Sequence, residues 1–161
     1  MMRIAVIAIG RLKDGPERDL FDRYWGRLEA LGRKHALGPL TLTEIPESRA
    51  ASAEARCDDE AKKLLAAVPA RGHIVLLDER GKTPTSAAFA ADIRARRDGG
   101  ASAVIFLIGG PDGHGAAAKA AAHTTLALGA MTLSHGLARV VLAEQLYRAA
   151  TIIAGHPYHR S

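Results

Sequence analysis

The chain has 161 residues, 48% hydrophobic and 24% charged, proportions that exclude bulk disorder, collagen-like repeats and low complexity. That length is expected to form one domain, residues 1–161, with a core large enough to need no disulfide or metal staple. Aromatics at 4% argue against nucleic-acid binding by rows of stacking rings, while 22 Lys plus Arg against 17 acids favour a polyanionic partner without establishing one.

Arg3–Ile9 is a β-branched apolar run closed by Gly10, which predicts a buried strand. Arg11 and Lys13 end it without a small-residue cleavage site, so no secretory signal is expected. From Pro16 to about His35, Leu20, Tyr24, Leu28 and Leu31 recur at helical steps. Leu40–Ile45 alternates as a strand up to Pro46. Ser52 is placed to cap a second helix, whose inner face carries Ala61, Leu64, Leu65 and Val68. In its first turns Cys57, the lone cysteine, sits in Arg-Cys-Asp-Asp-Glu, where acids oppose the thiolate. It is assigned no role, and a reducing, cytoplasmic compartment is expected. No Cys/His cluster has zinc spacing, and no metal is expected.

His73–Leu77 predicts a third strand, followed by a turn at Asp78–Lys82. Thr85 or Ser86 opens a helix to about Arg97, and Ala103–Ile108 is the most apolar strand of all. A short helix at Ala116–Ala122, a strand at Thr124–Leu128 and a long helix at Leu137–Ala154 complete the order, with Gly155–Ser161 as a tail. Ala120–Ala138 lacks charged residues but carries too many His, Thr, Ser and Gly for a membrane span. Alternating strands and helices imply an α/β fold with a mostly parallel sheet flanked by helices. Ligands then belong at the carboxyl ends of the strands, in the loops after Leu77, Ile108 and Leu128.

Those loops carry the local signals. Gly109-Gly-Pro-Asp-Gly-His-Gly115 lets a ligand approach bare backbone, but it fits neither the dinucleotide nor the Walker pattern, and a tight structural turn reads equally well. Gly129–Gly136 is either a buried connection or a slot for an adenine or ribose. Glu144 and Arg148 stand four apart on the last helix and are expected to pair. Arg139 lies one turn after His135 and is expected to face the same site. The tail His156-Pro-Tyr-His-Arg160 reads as a frayed end or as a group suited to holding a nucleotide.

Four blocks together resemble, in order and spacing, the ribosomal large subunit methyltransferase H family of the SPOUT class. They are Leu-Ile-Gly-Gly-Pro-Asp-Gly (107–113), Met-Thr-Leu-Ser-His (131–135), Arg-Val-Val-Leu-Ala-Glu-Gln-Leu-Tyr-Arg-Ala (139–149) and His-Pro-Tyr-His-Arg (156–160). Gly-Arg-Leu-Lys (10–13) and Leu-Asp-Glu-Arg-Gly-Lys (77–82) extend the likeness to essentially the whole chain. Ser134 and Gly136 depart from it, standing where many members carry proline.

The resemblance implies a SPOUT-type trefoil-knotted fold acting as a homodimer. The implied activity is S-adenosylmethionine-dependent methylation of N3 of a pseudouridine in 23S rRNA, at the subunit interface of the assembled ribosome. Cofactor contacts would fall on Leu77, Gly109, Leu128, Gly129, Ala130, Met131, Thr132 and Leu133. His135 would accept the proton or position the base, and Arg139 would meet carbonyl charge. Tyr158, His159 and Arg160 would hold the nucleotide, from the partner chain if the tail crosses the dimer. A SPOUT enzyme acting on transfer RNA and a non-catalytic RNA-binding factor are the rival readings.

Overall fold

Five strands form one parallel sheet in the order β2-β1-β4-β3-β5. They are β1 (Met2–Ile9), β2 (Leu37–Ile45), β3 (His73–Lys82), β4 (Ala103–Ile108) and β5 (Thr124–Leu126). The computed structural model describes residues 1–160; Ser161, the last residue of the expected tail, lies outside them. Strands β1 and β4 occupy the centre because their side chains are apolar toward both faces, as strands covered by helices on each side must be. Ile4, Val6, Ala8, Val104 and Phe106 pack on one side under α1 (Pro16–Gly32), α3 (Ser86–Asp98) and α5 (His135–Ala154). Ala5, Ile7, Ile9, Ile105 and Leu107 pack on the other under α2 (Ala53–Ala67) and α4 (Ala116–Ala121).

Local chemistry sets most boundaries. Ser52 caps α2, its hydroxyl accepting from the Ala55 amide at 3.1 Å, and Thr85 rather than Ser86 caps α3. Helix α1 stops at Gly32 instead of running to His35. There a Cβ would meet the Leu37 carbonyl, and the chain reverses through a short 3-10 turn into a left-handed Ala36. Strand β2 therefore begins three residues before the expected Leu40. Ser134 caps α5, so that helix starts at His135 rather than Leu137.

The expected turn at Asp78–Lys82 is part of β3. Leu77 and Lys82 both pair with Leu126, so residues 78–81 bow around β5 and return to it. The Ala127 amide donates to the Lys82 carbonyl at 2.8 Å and holds the crossing closed. Gly81 sits at the closest approach, where a Cβ would lie 2.7–2.8 Å from backbone atoms of Thr125 and Leu126. Only a residue without a side chain fits there. Strand β5 is correspondingly short, ending at Leu126 rather than Leu128, and the chain leaves it directly for the loop at the sheet's carboxyl rim.

Candidate active site

Three loops meet at that rim around a cleft of about 410 Å³. They follow Leu77, Ile108 and Leu126, and the first turn of α5 closes the cleft with His135 and Ala138. Leu77, Gly109, Leu128, Gly129, Met131, Thr132 and Leu133 all line it; Ala130, which the resemblance also implicates, does not. None of the amides from Leu128 to Leu133 donates to another described group. Such bare main chain is costly to bury and ready to bind.

The loop after β4 is fastened from two sides. Arg56 on α2 bonds Asp112 at 2.7 Å, and the Gly113 amide donates to Gly110 through a residue at φ 86°. His114 Nε2 lies 2.9 Å from the Leu77 carbonyl. A carbonyl only accepts, so Nε2 carries the proton. Burial lowers the His114 pKa, the Leu77 bond opposes that, and the ring is neutral near pH 7. Gly109 leaves room for this ring, which a Cβ would approach at 3.1 Å. The sequence signal for His114 is its place between Gly113 and Gly115 at the end of a glycine-rich loop. Across the mouth, the Thr132 hydroxyl donates to Glu79 at 2.7 Å. Beside Asp112, Cys57 has its thiol pushed up by burial and then by nearby acids, so it is a poor nucleophile.

Arg139 is not in the cleft. Its Nη1 bonds Glu44 at 2.8 Å, and its Nη2 donates to the carbonyls of Ile9 and Gly10 at 2.8 and 2.7 Å. The side chain is 3% exposed and reaches the carboxyl ends of β1 and β2. Of Arg139 and His135, only His135 lines the cleft. Tyr158, His159 and Arg160 are also outside the cleft. Helix α5 has 20 residues, about 30 Å at 1.5 Å per residue, and the tail follows its opposite end. Tyr158 is docked rather than frayed: its hydroxyl donates to Glu144 at 3.0 Å and its ring packs on Tyr147 at 4.7 Å. Arg148 bonds Glu144 as expected and also stacks over the Tyr158 ring at 5.1 Å.

The family described as "Predicted SPOUT methyltransferase" matches residues 2–159. A Bradyrhizobium sp. (strain BTAi1) protein named ribosomal RNA large subunit methyltransferase H is 51% identical over 160 residues, covering 99% of this chain and 100% of its own. The proteins of the same name from Brucella anthropi and Methylobacterium sp. (strain 4-46) are 50% and 49% identical, over 99% of this chain and 100% and 98% of theirs. The chain belongs to the ribosomal large subunit methyltransferase H family.

SPOUT methyltransferases generally use S-adenosylmethionine, and the cleft fits it on its own terms. The unpartnered amides of 128–133 are donors of the kind that the acceptor edges of an adenine and ribose require. Met131 and Leu133, 83% and 37% exposed, supply apolar surface for a ring to cover. Gly109 allows close approach to backbone. Asp78 and Glu79 add carboxylates at the rim, suited to a cationic ligand.

Proposed function

We propose that this family member transfers the methyl group of S-adenosylmethionine to N3 of a pseudouridine in 23S rRNA, at the subunit interface of the ribosome. The observation that carries the reading is the convergence of three glycine-bearing loops, one of them with the amides of 128–133 unpartnered, on one cleft beside an exposed histidine. The relatives' names supply the large-subunit RNA. A substrate of that kind belongs to the cytoplasm, and no described helix is long and apolar enough to cross a membrane.

The bound cofactor supplies a methyl that is already electrophilic, so the protein has no nucleophile to build. Its residues instead orient, which is worth on the order of 7–11 kcal/mol. The main chain of Leu128–Leu133 and the Gly109 approach hold the adenosine. His135 stands at the cleft mouth, positioned to orient the base and accept the N3 proton. Charge on the flanking carbonyls needs an exposed cation, and Arg160 is one, whereas Arg139 is committed elsewhere.

The tail is about one α5 length from its own His135, so a second copy lying antiparallel would bring His159 and Arg160 to this cleft. Exposed Met131, Leu133 and Leu137 on that side of the molecule support such a homodimer.

The test is transfer of labelled methyl to intact ribosomes and to naked ribosomal RNA, with mass mapping of the modified nucleotide. A single N3-methylated pseudouridine in 23S rRNA is expected. Label in transfer RNA alone would replace the substrate, and failure to bind the cofactor by calorimetry would leave only an RNA-binding scaffold.

A further inference from the structure

The Gly10–Lys13 loop is anchored far more firmly than a surface connection of its length requires. Three side chains converge on its backbone, two of them distant in sequence. Arg139 Nη2 donates to the carbonyls of Ile9 and Gly10. Glu44 Oε2 accepts from the Leu12 amide at 2.6 Å. Arg18, which bonds the same carboxylate at 3.0 Å, also reaches the Leu12 carbonyl at 3.4 Å. Burying a guanidinium costs several kcal/mol unless a carboxylate and carbonyls offset it. The fold bears that cost where no catalytic atom is touched, and what it obtains is a fixed path for four residues.

The fixed loop presents two cations. Arg11 and Lys13 flank the half-buried Leu12, are themselves exposed, and pair with no carboxylate among the described residues. Of the neighbouring acids, Glu17 lies against Gly136 on α5, Glu44 is engaged by Arg139 and Arg18, Asp14 is exposed, and Glu47, though exposed, lies against Gly10 without bonding either cation. The loop follows β1, whose carboxyl end is on the same rim as the cleft because every strand is parallel. Leu12 packs at the first turn of α5 beside Gly136, so the loop and the cleft lie on opposite sides of one helix end.

We infer that Arg11 and Lys13 contact RNA phosphates next to the target base, and that Arg139 is the positioning residue that sets their loop against α5. This rests on the proposed methyl transfer to ribosomal RNA. Two anchored cations beside the cleft would fix the register of a strand whose base enters it.

The experiment measures ribosome affinity and steady-state methylation for wild type and Arg11→Ala/Lys13→Ala between 50 and 200 mM salt. Two lost phosphate contacts lower the slope of log affinity against log salt by about 1.4–1.8, so the wild type weakens roughly tenfold more than the variant over that range. The ribosome KM of the variant rises while its cofactor Kd by calorimetry stays at the wild-type value. Arg139→Lys, which cannot fork to a carboxylate and two carbonyls, is expected to raise ribosome KM and to speed hydrogen exchange at the Leu12 amide. An unchanged salt slope and KM in the double variant overturns the inference, whatever Arg139→Lys does. A wild type that methylates no ribosome at all overturns the proposed function instead.

Discussion

Arg139 Nη1 lies 2.8 Å from Glu44 Oε2 and ties the second turn of α5 to the end of β2 across 95 residues. The pair is nearly dry, with side chains 3% and 15% exposed. Removing Glu44 leaves the buried Arg139 charge without its counter-ion, at a cost of about 3–5 kcal/mol, whereas Glu44 without Arg139 keeps Arg18 at 3.0 Å. Glu44→Gln is expected near the lower end of that range, because the amide oxygen still accepts from Leu12. Glu44→Gln combined with Arg139→Met should cost clearly less than the two separate losses. Urea unfolding of the four proteins gives the coupling, and strictly additive losses would mean that the contact carries no energy.

The same carboxylate gives an acid limb. Burial alone would raise the Glu44 pKa, but the Leu12 amide and Arg18 outweigh it and hold the group below the ordinary carboxylate range. An unfolded glutamate takes its proton near pH 4.3, before the folded one does. The stabilisation is therefore complete above that pH and is lost as pH falls through the lowered folded value. Glu44→Gln should flatten the stability profile below about pH 4.5, measured by denaturant midpoints at fixed ionic strength.

Histidines act in a second, higher window. Burial, first, lowers His114 and His73, with Arg96 and His123 adding to the effect on His73. The unfolded chain binds protons near pH 6.5 that these rings refuse, so stability is full above that value and falls as each folded pKa is crossed. Their consequences differ. His73 stacks on His123 and bonds Thr124 at the amino end of the sheet, whereas His114 holds the cofactor loop to Leu77. Thermal unfolding of His73→Asn and His114→Gln from pH 7.5 to 5 should each show a reduced slope. Only His114→Gln should alter the pH dependence of cofactor binding; an unaltered binding profile there would mean that the ring is a bystander.

The division between what the sequence disclosed and what it concealed follows contact distance. β1 and β4 were legible because they are apolar on both faces, and the Ser52 cap because its partner is three residues away. The three loops that meet at the cleft were placed by the parallel sheet alone, though the last leaves β5 at Leu126 rather than Leu128. The anchoring of Arg139 was hidden because α5 is apolar on nearly every side, so periodicity marks no solvent face, and its partner Glu44 belongs to another element. The tail's docking on Glu144 and Tyr147 was hidden for a similar reason: the i, i+4 pair with Arg148 is visible in sequence, but the phenol that joins it is 14 residues on.

That phenol makes a prediction of its own. Burial, with the bond to Glu144 assisting, raises the Tyr158 pKa above its usual value, so the hydroxyl remains a donor. A hydrogen bond to a charged group contributes about 1.5–3 kcal/mol, less where solvent reaches it. Tyr158→Phe should keep the ring stacking and lose the tether, so that residues 156–160 exchange hydrogen roughly tenfold faster for about 1.4 kcal/mol lost. Methylation should fall in parallel while cofactor affinity holds. Faster exchange without any loss of turnover would separate the docked tail from the chemistry.

Gly81 offers the sharpest test of how the cleft is built. A Cβ there meets backbone atoms of Thr125 and Leu126 at 2.7–2.8 Å, and backbone cannot swing aside as a flexible side chain does. Accommodating it means pushing β5 away from the bow at 78–81, at a cost of about 1–3 kcal/mol. The displaced strand leads straight into Leu128–Leu133, so Gly81→Ala should weaken cofactor binding although residue 81 does not line the cleft. Gly113→Ala is the control: it is strained by its φ of 86° but meets no atom within 4 Å, and it should lose stability with β5 unmoved. Equal cofactor affinity in wild type and Gly81→Ala, measured by calorimetry on folded protein, would show that the crossing does not set the position of the loop.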